Sequence, residues 1–165
     1  MMAIREWARL SDGEREAIRG YQAELPVKLS AIARQFGLRL IASTLPAGVS
    51  GEIRPDGTGN YVIKVNRHDA PRRQRFTIAH EIAHYLLHRE QIGNGISDDA
   101  LYRSSLSDVR EAEANRLAAE LLMPAEKVQA EITRAKDVQA DDIVAYIADR
   151  FDVSEAAAKI RLGIS

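Results

Sequence analysis

Cysteine is absent from the chain. Disulfides and thiolate metal sites are therefore both excluded, and any metal must be held by His, Asp or Glu. No apolar run approaches the ~20 residues of a membrane span. The start, "MMAIREWARL", has charges at Arg5, Glu6 and Arg9 that interrupt any signal-peptide core. Charge of one sign is lacking too: the formal net charge is −1, which gives no electrostatic case for general nucleic-acid binding. There is no internal repeat and no low-complexity tract. These absences lead us to expect a cytoplasmic, unlipidated globular protein.

What is present fits one domain with a real core. At 165 residues, folding should bury about 70% of the surface that the unfolded chain exposes. Apolar residues at 45% and charged ones at 28% are the balance of a soluble protein. "SDGEREAIRGYQAEL" opens with a capping-box spelling, Ser11 with Glu14, and continues at helical spacing. Pro26 is expected in the first turn of a second helix, stopped by Gly37. The period then changes: "LRLIAS" (38–43), "VSGEIR" (49–54) and "YVIKVN" (61–66) read as strands, the last two joined as a hairpin by "PDGTGN". Asp69 and Pro71 open a long helix to about His88. A Gly-, Asn- and Ser-rich loop follows over 89–107, a length that often signals function. Asp108 is expected to cap a helix ending at Pro124, and helices over 125–135, 140–150 and 154–162 finish the chain. The order predicts an α+β fold, with a small antiparallel sheet packed on helices.

Within the long helix lies "RFTIAHEIAHYLLH" (75–88). Residues four apart share a helix face, so His80 and His84 can reach one ion. Glu81, turned about 100° from His80, can take a proton from water beside that ion. The apolar Ile78, Ala79, Ile82, Ala83 and Leu86 would bury and dry the site. The competing account is an ordinary core helix with a hydrogen-bonded histidine pair. His88 lies about 12 Å along the axis from His80, too far to share the ion, and is read as structural. His68 is expected to face solvent.

A catalytic zinc site needs three protein ligands and an open position. The helix "DVREAEANRLAAELLMP" (108–124) offers Glu111, which shares a face with Asn115, and Glu113, turned roughly 160° away. Only one of the two glutamates can face the ion. A structural account of Glu111 is a capping box with Asp108.

Taken together, "RFTIAHEIAHYLLH" and "EAEANRLAAELLMP" resemble the ImmA/IrrE family of metallopeptidases, small gluzincins with an RFT-x-AHE-x-x-H-x-x-LH helix and a later E-x-x-AN-x-FAA-x-LLMP helix. "LPAGVSGEI…YVIKVN" and "FDVSEAAAKIRL" extend the resemblance over most of residues 26–165. Leu117 departs from the family's usual Phe, an apolar exchange. The resemblance implies His80, His84 and Glu111 as zinc ligands, with Glu113 in reserve, and Glu81 as general base. It implies Asn115 as the residue that orients a ligand. It also implies a division into a minimal gluzincin-like core over 1–124, with a three-stranded sheet and two ligand helices, and a helix-turn-helix-like subdomain over 125–165. The implied substrate is a helix-turn-helix repressor, cut in stress responses or mobile-element control. Zinc suits two imidazoles and a carboxylate, while manganese and iron are compatible by ligand type.

Tyr102, in the loop between the ligand helices, is a candidate oxyanion stabiliser. A peptide could add to the sheet through the 49–54 or 61–66 strand. "PRRQR" (71–75) reads as a solvated basic run. Two rival functions remain open. One is a non-catalytic metal-binding sensor or antitoxin-like module. The other is a DNA-binding regulator using "IADRFDVSEAAAKIRL" (147–162). Against the latter, the recognition helix of that unit offers only Lys159 and Arg161, and residues 138–165 carry a net −2.

Overall fold

Ser11 and Glu14 do form a reciprocal cap: Ser11 Oγ accepts from the Glu14 amide at 3.1 Å, and the Glu14 carboxylate accepts from the Ser11 amide at 2.8 Å. They open α2 (Asp12–Tyr21), which follows a short helix α1 (Arg5–Ala8) that the sequence pattern does not reveal. The computed structural model describes residues 4–164. Helix α3 (Leu29–Gln35) begins three residues after Pro26, and the wholly buried Val27 lies in the connection. Gly37, at φ +72°, ends it as expected.

The strands are β1 (Arg39–Ser43), β2 (Val49–Pro55), β3 (Tyr61–Asn66) and β4 (Ile96–Asp99), ordered β1-β3-β2-β4. The α+β class is as expected, but the sheet is mixed and four-stranded. Strand β3 inserts between β1 and β2, pairing antiparallel with β2 through the expected hairpin and parallel with β1. The fourth strand lies inside the segment read as a loop and pairs antiparallel with β2. Strands β2 and β3 are therefore interior, which removes both from the role of peptide-accepting edge; the edges are β1 and β4.

Helix α4 (Pro71–Leu87) packs on β2 and β3, and α5 (Asp108–Leu122) packs on α4. The N-cap of α5 is Ser107, whose hydroxyl accepts from the Arg110 amide at 3.3 Å. That corrects the expected Asp108 cap, and with it the capping-box account of Glu111 falls. The closing helices are α6 (Ala125–Asp137), α7 (Ile143–Phe151) and α8 (Glu155–Leu162). Phe151, Val153 and Ala158 belong to the same buried cluster as Ile82, Leu117 and Leu121. The basic run is only partly solvated: Arg72 pairs with Asp149 and Asp152, and Arg75 donates to the Phe151 and Asp152 carbonyls.

Candidate metal centre

The apolar faces of α4 and α5 bury polar side chains between them. His80, Glu81 and His84 have no exposed surface, nor does Asp98 on β4, and Glu111 on α5 has 5%. Close approach of α4 to the sheet depends on Gly51. A Cβ there would stand 2.4 Å from Thr77 Cγ2 and 3.0 Å from Glu81 Oε2.

The donor atoms converge. His84 Nε2 lies 2.7 Å from Glu111 Oε1 and 3.7 Å from Asp98 Oδ2. His80 Nε2 lies 3.6 Å from Glu111 Oε1 and 3.3 Å from Asp98 Oδ1. One donor atom each from His80, Glu81, His84 and Asp98 lies within 4.8 Å of all the others. Both Nε2 atoms and every carboxylate oxygen of Glu81, Asp98 and Glu111 are buried without a hydrogen-bond partner. Buried polar atoms are seldom left so, and an unpaired buried charge is costly. A cation at their meeting point would satisfy them, so the donor set fits a metal of the zinc type.

The outward nitrogens are held. His80 Nδ1 is 2.8 Å from Asn115 Oδ1, to which it donates, so that Nε2 is the nitrogen whose lone pair a metal would take once its proton is displaced. His84 Nδ1 is 3.0 Å from His88 Nδ1, and His88 Nε2 is 3.0 Å from Glu113 Oε1. If His84 presents a bare Nε2, its proton sits on Nδ1 and is donated in a hydrogen bond to His88 Nδ1. The proton of His88 then sits on Nε2 and is donated to Glu113, which Arg9 neutralises. Glu113 thus points away from the centre that Glu111 faces, and His88 supports a histidine rather than joining it.

In the metal-free protein the charges answer one another. Burial alone would lower the His80 pKa, but the facing carboxylates of Asp98 and Glu111 carry it up to about 9. Burial raises the Glu81 carboxyl well above its ordinary range, and the adjacent Asp98 adds to the rise. Burial would also raise Asp98, but the facing imidazoles of His80 and His84 outweigh it and hold the carboxyl far below the usual range.

Tyr102 sits beside the centre, its ring centroid 4.8 Å from that of His80. Its hydroxyl is 3.3 Å from Thr77 Oγ1, and its backbone is in the left-handed region at φ 57°. His68 is exposed, 2.9 Å from Thr44 Oγ1. A groove of about 940 Å³ opens alongside, walled by Phe76, Tyr102, Asn115, Ala119, Ala157 and Ile160. Of the two bases on α8, Arg161 is turned inward onto Glu120 and the Met123 carbonyl. Sequence reasoning missed Asp98 altogether; its only local signal is the acidic pair "DD" inside a glycine-rich segment.

Residues 33–163 match the family described as IrrE N-terminal-like domain. Over 146 residues the chain is 36% identical to the radiation response metalloprotease IrrE of Deinococcus deserti, covering 87% of this chain and 50% of that protein. The chain thus spans about half the length of this curated relative. A Mycobacterium tuberculosis transcriptional regulator of known structure superposes with a TM-score of 0.60 at 20% identity, over 96% of this chain and 48% of the other. That likeness shows a shared fold alone.

Proposed function

The chain belongs to the IrrE N-terminal-like domain family, and from that premise we propose that it is a zinc-dependent endopeptidase. His80, His84 and Glu111 hold the ion, and Glu81 is the general base. The observation that carries this reading is the set of eight orphaned buried donor atoms on His80, Glu81, His84, Asp98 and Glu111. The donor set also suits manganese or iron.

A zinc ion held there would polarise a peptide carbonyl and acidify water. The chain's own groups do the rest. Glu81, with its raised proton affinity, accepts the proton of the attacking water and returns it to the leaving amine. Asn115 fixes the His80 ring, and the apolar flank of α4 keeps bulk water out. Tyr102 donates to the oxyanion, a reading supported by its ring lying beside His80, once its hydroxyl leaves Thr77. The substrate is a protein segment, which lies in the groove beside Tyr102 and Asn115 or adds to the β4 edge. By family resemblance it is a helix-turn-helix repressor, and the name of the Deinococcus relative points to a stress response. No helix among the described residues is long and apolar enough to cross a membrane, and we place the activity in the cytoplasm. Residues 125–165 act as a helical subdomain docked on a 1–124 core. A DNA-binding role has little support, with Arg161 committed to Glu120.

A second reading, a metal-binding sensor or antitoxin-like module without turnover, draws on one observation: four side chains besides Glu81 crowd one point, as in closed metal sites. The test is elemental analysis followed by digestion of a bacterial peptide mixture. We expect about one zinc per chain and new peptide termini, lost by about a hundredfold or more in Glu81→Gln while the metal stays. No metal after dialysis against zinc would sink the whole reading. Metal without cleavage, identical in Glu81→Gln, would leave the non-catalytic module.

A further inference from the structure

Asp98 has no task in the mechanism, yet it is a fully enclosed carboxylate at the centre. It has no exposed surface, and neither of its oxygens has a hydrogen-bond partner. These oxygens face the metal-side nitrogens of both histidines, at 3.3 Å from His80 Nε2 and 3.7 Å from His84 Nε2. Donors placed tetrahedrally at zinc distances stand roughly 3.4 Å apart. Asp98 therefore meets the two histidines at the spacing of a fellow ligand, as Glu111 does to His80 at 3.6 Å.

Three side chains and a vacant position make a catalytic zinc site, whereas four make a closed one. With His80, His84 and Glu111 as ligands, Asp98 is the fourth. It also stands within 4.8 Å of a Glu81 donor atom, in the space where water and base must meet. Its carrier differs from those of the other three. They sit on α4 and α5, helices of 17 and 15 residues packed on each other. Asp98 sits on a four-residue edge strand with one neighbour, preceded by Gly93 and Gly95 in positive-φ conformations and broken in register opposite Val49 and Gly51. Displacing β4 breaks one short ladder and shifts a single apolar core side chain of the strand, Ile96.

We infer that Asp98 is a displaceable fourth metal ligand: it closes the centre in this conformation, and a substrate reaches the metal only when β4 carries Asp98 aside. The inference rests on the metal-centre assignment. It predicts that the protein binds any ligand needing the fourth position at reduced apparent affinity, in proportion to how seldom β4 is displaced.

The test uses the full chain loaded with cobalt(II), titrated with acetohydroxamate and followed by visible absorption. Asp98→Ala should keep its cobalt and bind acetohydroxamate on the order of tenfold tighter, as expected where the displaced state holds about a tenth of the population. Asp98→Asn, nearly isosteric and neutral, should move the same way and guards against a cavity effect. Unchanged acetohydroxamate affinity in both variants overturns the inference alone. So does loss of cobalt in Asp98→Ala as complete as in His80→Ala, which would make Asp98 an obligatory ligand. Failure of the unsubstituted protein to take up cobalt or zinc overturns the centre itself, and the inference with it.

Discussion

His80 shows how much of the centre's behaviour is set by single contacts. Its pKa in the metal-free protein stands at about 9, against an ordinary 6.5, because Asp98 and Glu111 outweigh the effect of burial. Two pH dependences of opposite sign follow. A group whose pKa is raised by folding stabilises the folded state fully below its ordinary value and ceases to do so as pH rises through the folded one. The metal-free protein should therefore lose stability between about pH 6.5 and about pH 9. Metal uptake runs the other way, because the ion must displace the His80 proton. Zinc affinity, measured by competition with a chelator, should rise by about tenfold per pH unit through this window and flatten above it. An affinity independent of pH across the window would mean that His80 is not the protonated partner of the two carboxylates.

At the level of elements, the decisive contact is between α4 and β2, and it turns on Gly51. Any Cβ at that position meets the Thr77 methyl at 2.4 Å, Glu81 Oε2 at 3.0 Å and the Lys64 carbonyl at 3.3 Å. Gly51→Ala should cost about 1–3 kcal/mol in urea unfolding by overpacking. Thr77→Ser, which removes the methyl, should recover part of that loss in the double variant; equal stability of the single and double variants would place the strain elsewhere. The same elements show which parts were legible in the sequence. The spacing of His80, Glu81 and His84 is a property of one helix, so it could be read directly; helix faces showed only that Glu111 and Glu113 cannot both face the ion, and the preference for Glu111 came from the family resemblance. Strand β4 could not: "ISDD" is four residues with no apolar alternation, and it becomes a strand only through its ladder to β2. Asp98 was hidden with it. The parallel pairing of β1 was equally hidden, because it depends on where the β2–β3 hairpin inserts rather than on any local pattern. The expected Asp108 cap failed by one residue, with Ser107 offering the same chemistry one position earlier.

At the scale of the whole molecule, Glu120 ties the metal-centre helix to both ends of the described chain. It is fully buried near the end of α5, where Arg19 of α2 donates to it at 2.9 Å and Arg161 of α8 pairs with it. Gln22 adds hydrogen bonds at 2.9 and 3.1 Å to the carbonyls of Glu120 and Leu121. One buried anion thus serves cations from segments more than a hundred residues apart in sequence, and the apolar cluster is continuous across the same region. Arg161 is only 9% exposed, so losing its partner leaves a nearly buried cation with no charge to answer it. Glu120→Ala should therefore cost about 3–5 kcal/mol, far more than an exposed ion pair would. Removing the cation as well separates the two contributions. If the loss arises from the orphaned guanidinium, Glu120→Ala with Arg161→Met should be more stable than Glu120→Ala alone. Because the cluster runs through all three helices, urea unfolding of every variant should remain a single transition reported alike by far-ultraviolet circular dichroism and Trp7 fluorescence. Two separated transitions would show instead that the C-terminal helices fold on their own and that Glu120 only fastens them to the centre.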